Sequence, residues 1–169
     1  MKRVIVICIA MLFGALQLNA QKIGYINSEK ILSAIPAYVA AQQQLESYSN
    51  QLQEVIDGEY AKVEALYNKY QQQKGNLTAQ ARQVKENEII QKEQAVKKLQ
   101  QEYFGQDGHM QQYSEKLLGP VKEQVDAAIA QIAKSGNYIM VLDVASMQGV
   151  AYTDPQGDLS SAVIKALGY

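Results

Sequence analysis

Apolar residues recur every three or four positions through two long stretches of this chain. Residues 38–73 contain no proline, and their apolar positions are Val39, Ala41, Leu45, Tyr48, Leu52, Val55, Ile56, Tyr60, Val63, Leu66, Tyr67 and Tyr70. This spacing predicts a long amphipathic helix. A related stripe, which includes Val84, Ile89, Val96 and Leu99, runs over residues 79–134 and predicts a second, longer helix.

The segment between the two stripes predicts a turn. It reads Gly75, Asn76, Leu77 and Thr78, and either Asn76 or Thr78 can cap the helix that follows. Two helices joined by so short a turn fold back as an antiparallel hairpin, so paired residue numbers sum to about 152. That sum places Val63 opposite Ile89 and Ile56 opposite Val96, which predicts a two-helix coiled coil.

The same sum places Tyr48 beside Tyr103 and Phe104. The last part of the second helix extends beyond the hairpin and has to pack elsewhere. Pro120 lies near the point where this surplus begins, and an interior proline removes a backbone hydrogen bond and kinks a helix. Beyond it, Val121, Val125 and Ala128 belong to a denser apolar face.

Both ends of the chain predict strands. Residues 22–26 are β-prone, with Asn27 and Ser28 as caps for a short helix after them, and residues 138–144 predict a strand buried on both faces. Residues 150–152 predict another strand, residues 154–157 a turn, and Asp158 caps a final helix that ends at Leu167. So few strands do not make a self-sufficient sheet, and copies of the chain related by symmetry would supply partners for the strand edges.

The first twenty residues predict a secretory signal peptide. Lys2 and Arg3 precede the apolar stretch 4–16, and cleavage is expected after Ala20. The apolar stretch is shorter than a membrane span of about 20 residues, and nothing later in the chain resembles one. We therefore expect an exported chain without a transmembrane span, for which transient membrane proximity remains open.

Composition narrows the range of functions. The chain has 16 basic and 17 acidic side chains, and loss of Lys2 and Arg3 makes the mature chain more acidic, which disfavours nucleic-acid binding. Cys8, in the signal peptide, and His109 are the single cysteine and histidine, so a zinc site, a disulfide framework or a histidine-based triad is disfavoured. No GxxxxGK[ST] motif occurs either. We expect no enzymatic activity, no metal and no cofactor.

Three blocks of sequence resemble the Skp/OmpH family of periplasmic chaperones. They are residues 22–28 (KIGYINS) with Ile31 and Leu32, residues 138–143 (YIMVLD), and residues 152–155 (YTDP) with Asp158, Leu159 and residues 163–167 (VIKAL). The resemblance implies an α+β, predominantly helical fold, in which a long antiparallel helical hairpin, a coiled-coil arm, is attached to a small β body that assembles as a trimeric barrel. The domain after the signal peptide (1–20) would be residues 21–169, with the body at 21–37 and 120–169 and the arm at 38–119.

The resemblance also implies a function. Members of the family are homotrimers that hold unfolded outer-membrane β-barrel proteins between their arms in the periplasm, without ATP. The residues expected to form the trimer body are Ile23, Tyr25, Ile139, Val141, Asp143 and Tyr152. The alternative, from a different class, is an exported coiled-coil spacer of the cell envelope without chaperone activity.

The arm offers candidate client-binding residues. Tyrosine combines a large apolar ring with a polar tip, and methionine is flexible, so both suit weak contact with many sequences. The candidates are Tyr48, Tyr60, Tyr67, Tyr70, Tyr103, Met110 and Tyr113. The alternative for each is a place in the coiled-coil seam. Gly58, Gly105, Gly108 and Pro120 are expected to make the arm flexible, because glycine and proline weaken helices.

Overall fold

The computed structural model describes residues 22–169 and consists mainly of helices. In chain order, the elements are β1 (Lys22–Ile26), α1 (Ser28–Ser33), α2 (Pro36–Gln73), α3 (Ala79–Phe104), α4 (His109–Ser135), β2 (Tyr138–Asp143) and α5 (Ser160–Ala166). The predicted fold class, predominantly helical α+β with a long helical hairpin and a small sheet, is confirmed. Within these residues, no helix is both long and apolar enough to cross a membrane. The predicted signal peptide and its cleavage site lie outside the described residues.

The chain divides into two compact units. The arm unit comprises residues 32–126, and the body unit comprises residues 22–31 and 127–169 of the described chain.

The helical hairpin of the arm unit forms as predicted near its turn. Pro36 occupies the first turn of α2, where its missing N–H costs no helical hydrogen bond. A single 3₁₀ turn, Lys74–Asn76, follows α2, and Thr78 then caps α3 by accepting a 3.2 Å hydrogen bond from the backbone N–H of Ala81. Of the two predicted caps, the structure uses Thr78.

The predicted seam between α2 and α3 is confirmed at the pairs Val63–Ile89 and Ile56–Val96. Ile56, Val63 and Val96 form a buried cluster, and Ile89 and Tyr103 pack against it. Elsewhere the seam is thin. Val96 is the single buried residue of α3, whereas Val55 and Val84, both on the predicted stripes, are 47% and 60% exposed.

The predicted continuous helix over residues 79–134 is wrong. The helix stops at Phe104, and residues 105–108 form a linker before α4 begins. Asp107 in this linker has a left-handed backbone (φ 60°), and its N–H donates to Gln111 Oε1 at 3.0 Å. A Cβ on Gly105 would lie 2.2 Å from the carbonyl oxygen of Gln101, so the tight exit from α3 requires glycine.

The linker changes the pairing along the hairpin. Tyr48 was predicted beside Tyr103 and Phe104, but its ring lies 4.5 Å from the ring of Tyr113, centroid to centroid. Because the linker interrupts the helix, α4 does not keep the register that a continuous helix would give. Pro120 lies inside α4, as predicted, and Val121, Val125 and Ala128 are buried.

The body unit contains a two-stranded parallel sheet. Ile23 pairs with Met140 and Ile26 pairs with Asp143. On the other edge of β1, the N–H of Leu159 donates to the carbonyl of Tyr25 at 2.8 Å. β1 therefore lies between β2 and the segment that precedes α5.

Two strand predictions in the body unit are wrong for this chain by itself. Residues 150–152 form no strand, and Tyr152 is 80% exposed, because no described segment pairs with this backbone. β2 was predicted to be buried on both faces, yet Ile139 and Met140 are 58% and 50% exposed.

The core of the body unit is small. Ile31 and Val163 are fully buried, and Ile26 and Leu159 are nearly so. Ser160 is also fully buried, and its Oγ accepts a 2.8 Å hydrogen bond from the N–H of Asn27. Asn27 in turn caps α1, since its Oδ1 accepts a hydrogen bond from the N–H of Lys30, which confirms one of the two predicted caps.

Candidate functional site on the arm

The arm tyrosines fall into an exposed pair and a set that packs within the arm. Tyr60 and Tyr67 are 36% and 49% exposed. They lie seven residues apart in α2, which is about two helical turns, and therefore share one face of the helix. This pair is the part of the predicted client-binding set that offers aromatic surface to another chain.

Four further candidates of that set are half-buried, and three of them contact another ring of the arm. Tyr48, Tyr103, Met110 and Tyr113 are half-buried, and the rings of Tyr48 and Tyr113 pack against each other at an angle of 50°. The Tyr103 ring lies 5.3 Å from the His109 ring, centroid to centroid. These contacts fit the alternative that the side chains belong to the seam of the arm.

Tyr70 is buried near the turn of the hairpin. Its hydroxyl donates to the Glu86 carboxylate, which joins α2 to α3. The hydrogen bond to Glu86 raises the pKa of Tyr70 above its ordinary value, and burial adds to the effect. Tyr70 therefore joins the two helices of the hairpin, and its buried ring offers little surface to another polypeptide.

Two grooves of similar size flank Val63. The first, here the lysine groove, encloses about 600 Å³ and is lined by Glu59, Lys62, Val63, Ala65, Leu66, Lys69, Glu88, Lys92, Ala95, Val96 and Leu99. The second, here the tyrosine groove, encloses about 580 Å³ and is lined by Asp57, Tyr60, Ala61, Val63, Glu64, Tyr67, Ile89 and Glu93. Each groove has an apolar floor and a polar rim, an arrangement suited to an apolar side chain of another polypeptide.

The charges of the lysine groove are partly satisfied within the arm. Lys62 pairs with Glu59, and Lys85 lies 2.8 Å from a carboxylate oxygen of Glu88. The hydrogen bond from Lys62 lowers the pKa of Glu59, and that from Lys85 lowers the pKa of Glu88. Both pairs are exposed, so they contribute little to stability.

All the charged side chains that line the tyrosine groove are acidic. Asp57 accepts a 2.8 Å hydrogen bond from the side-chain amide of Gln53. Within the described part of the chain, Glu64 and Glu93 form no ion pair. Sequence reasoning missed this groove because its lining combines side chains of two helices, although Asp57, Tyr60, Glu64 and Tyr67 recur at helical spacing.

The glycines and the proline expected to make the arm flexible lie in three different settings. Gly58 is inside α2 with open space around it, Gly105 and Gly108 belong to the linker, and Pro120 is inside α4. Their role in flexibility stays a prediction.

The residues expected in a trimer body divide by exposure. Ile23, Ile139 and Tyr152 are well exposed, whereas Tyr25 and Val141 are half-buried. Asp143 is engaged within the chain, since its Oδ1 accepts hydrogen bonds from the backbone N–H of Ser28 at 3.0 Å and of Ala145 at 3.1 Å. Burial by itself would raise the pKa of Asp143, but the hydrogen bonds with Ser28 and Ala145 outweigh it and lower the pKa.

Comparison with known proteins identifies the family. A model of the OmpH-like outer membrane protein family matches residues 22–167. The chaperone protein Skp of Vibrio cholerae is 26% identical over 152 residues, which cover 88% of this chain and 84% of that protein. A crystal structure described as an OmpH-like outer membrane chaperone, from Caulobacter crescentus, superposes with a TM-score of 0.64 at 17% identity, over 87% of this chain and 83% of the other. The helical hairpin, the small parallel sheet and these matches together show that the chain belongs to the OmpH-like family of outer-membrane chaperones.

Proposed function

We propose that this protein is a periplasmic holdase that binds unfolded outer-membrane β-barrel proteins without ATP and prevents their aggregation. One observation supports the proposal most directly. The hairpin leaves two grooves open beside Val63, and the aromatic rings of Tyr60 and Tyr67 stand at one of them. Many weak apolar contacts of this kind retain an unfolded chain without fixing its conformation.

The thin seam favours a holdase over a coiled-coil spacer. A spacer that only bridges two points of the envelope is best served by a long, well-filled seam with charged outer faces. In this chain α3 buries Val96 alone, while Val55, Val84 and Ile90 remain 47% to 60% exposed. These apolar side chains are therefore exposed on the arm surface and are not buried in the seam.

The body would assemble as a homotrimer. The exposed apolar side chains of Ile23, Ile139 and Met140 lie on the two paired strands, and a sheet of two strands is marginal alone. Other copies of the chain would cover these side chains and would give residues 150–152 a strand partner. Light scattering of the purified chain 21–169 should give three times the monomer mass, and a monomer mass at micromolar concentration would contradict the assembly.

Residues 1–20 would direct export to the periplasm and would be removed there. The proposed cleavage after Ala20 is checked by mass spectrometry of protein recovered from the periplasm of the producing cells. A mass that still includes Met1 to Ala20 would contradict it.

Dilution of a urea-unfolded outer-membrane barrel tests the holdase activity. We expect the mature chain to lower turbidity strongly at a severalfold trimer excess, without added ATP, because the client is held before it aggregates. An equal mass of an unrelated soluble protein serves as the control. Turbidity that is unchanged by the chain would favour the spacer.

A further inference from the structure

The tyrosine groove differs in charge from the groove on the other side of Val63. Its lining includes the carboxylates of Asp57, Glu64 and Glu93 and includes no lysine or arginine. The lysine groove, in contrast, is lined by three lysines and two glutamates. Two grooves of nearly equal volume on one hairpin thus have opposite charge.

The tyrosine groove also has a regular geometry. Asp57, Tyr60, Glu64 and Tyr67 follow one another at steps of three and four residues along α2, so they lie along one face of the helix, and α3 contributes Ile89 and Glu93 to the lining. At 1.5 Å per residue, Tyr60 and Tyr67 are about 10 Å apart along the helix axis. An extended peptide covers that distance with about three residues.

The groups at the rim suit a cation. A tyrosine ring attracts a lysine ammonium or an arginine guanidinium to its face, and a carboxylate pairs with either. Glu64 lies between Tyr60 and Tyr67 in the helical stripe, and neither Glu64 nor Glu93 is paired with a cation in the described part of the chain. The floor of the groove, with Val63 and Ile89, accepts apolar side chains.

We propose that the tyrosine groove binds extended polypeptide segments in which apolar residues are interspersed with lysine or arginine. The apolar side chains of such a segment contact the floor, and its cations lie between the tyrosine rings and the carboxylates. The inference rests on the proposed holdase function and gives it a preference among segments of a client. The lysine groove, with its own pairs, does not share that preference.

Three fluorescent peptides of about nine residues test the preference. They share the same apolar positions and carry lysine, serine or glutamate at the intervening positions. Fluorescence anisotropy with the mature chain should give affinity in the order lysine, serine, glutamate, with the lysine peptide bound at least about threefold more tightly than the serine peptide. Raising the salt concentration to about 0.5 M should reduce this advantage, because it shortens the Debye length.

Matched double variants locate the preference. Glu64→Gln with Glu93→Gln removes two charges from the tyrosine groove, and Glu59→Gln with Glu88→Gln removes two charges from the lysine groove. The first pair should abolish the advantage of the lysine peptide over the serine peptide, and the second should retain it. All four positions lie on the surfaces of long helices, and circular dichroism checks that helix content is unchanged.

The outcomes separate this inference from the proposed function. Equal binding of the lysine and serine peptides by the unmodified chain, or an equal loss of preference in both double variants, would overturn the inference. If turbidity is nevertheless suppressed, the holdase function stands without the preference. If the preference is found and turbidity is not suppressed, the groove assignment stands and the holdase function fails.

Discussion

Asp143 links the end of β2 to the start of α1. Its carboxylate accepts hydrogen bonds from the N–H groups of Ser28 and Ala145, and Ser28 is the first residue of α1. A negative charge at a helix N-terminus is favourable, because the unpaired N–H groups there carry partial positive charge. The hydrogen bonds of this one side chain therefore join a strand, a helix and a turn of the body unit.

The lowered pKa of Asp143 makes the stability of the body depend on pH. Because the carboxyl is more acidic in the folded chain than in the unfolded chain, its contribution is fully present above the unfolded pKa of about 3.9. The contribution is lost as the pH falls through the lower, folded pKa. Asp143→Asn should reduce the free energy of unfolding by about 1 kcal/mol at pH 7 and by progressively less in acid.

Urea unfolding followed by circular dichroism, at a series of pH values, measures this difference. Asp126→Asn is the control, since Asp126 is exposed on α4 and should show little change at any pH. A difference for Asp143→Asn that stays constant from pH 7 to pH 3 would contradict the assignment.

The helical hairpin shows how far periodicity predicts an element. The spacing of Ile56 and Val63 in α2 equals that of Ile89 and Val96 in α3. It located the seam correctly because most of these positions are buried. The same periodicity continues from Tyr103 through Tyr113, so it gave no sign that the helix stops between them. The local signal was the pair Gly105 and Gly108, since the preceding backbone leaves no room for a Cβ at either position.

Truncating an isoleucine to alanine should cost more stability in the buried seam than on the exposed surface of the arm. Ile56 is 1% exposed within the buried cluster, whereas Ile90 on α3 is 48% exposed. Ile56→Ala should therefore cost about 2 to 4 kcal/mol of arm stability, and Ile90→Ala less than about 1 kcal/mol. Similar urea midpoints for the two variants would show that the seam does not run through Ile56.

Glycines at different places in the arm should respond to alanine with opposite sign. Gly58 has nothing within 4 Å of a new Cβ, so Gly58→Ala should stabilise α2 by up to about 1 kcal/mol. Gly105→Ala should destabilise the arm, since the new Cβ would lie 2.2 Å from the Gln101 carbonyl oxygen. The shift of the thermal midpoint measures both effects, and a rise for Gly105→Ala would contradict the linker geometry.

The proposed flexibility of the arm has a separate test. Gly58→Ala, which adds a Cβ in open space, should narrow the distribution of arm spread measured by small-angle scattering. An unchanged distribution would remove the case for Gly58 as a point of flexibility.

At the scale of the whole molecule, prediction and structure also differ in the body unit, where strand-forming backbone and apolar side chains are left uncovered. Residues 150–152 have the composition of a strand but form none, and β2 leaves Ile139 and Met140 exposed. Composition predicts which backbone is able to pair, but pairing itself requires a second strand within reach. The tyrosine groove escaped prediction for a related reason, since it combines side chains of two helices.

The proposed trimer predicts a stability that depends on concentration. If three chains complete the body, assembly and folding are linked, and dilution lowers the thermal midpoint. We expect a clear rise of the midpoint between about 1 and 100 μM, measured by circular dichroism in cells of different path length. Ile139→Ser should weaken this dependence, and Ile90→Ser, on the arm, should leave it intact. A midpoint independent of concentration would contradict the linkage.

The parallel pairing of β1 with β2 sets an order in which the chain can fold. β1 contains the first described residues, whereas its partner strand follows the entire hairpin. Loops that long close slowly, while helices and short-range hairpins form within microseconds. As the chain is synthesised from its N-terminus, the arm is therefore able to form before β2 is available to pair with β1. The proposed client-binding grooves would then form before the two-stranded sheet of the body unit.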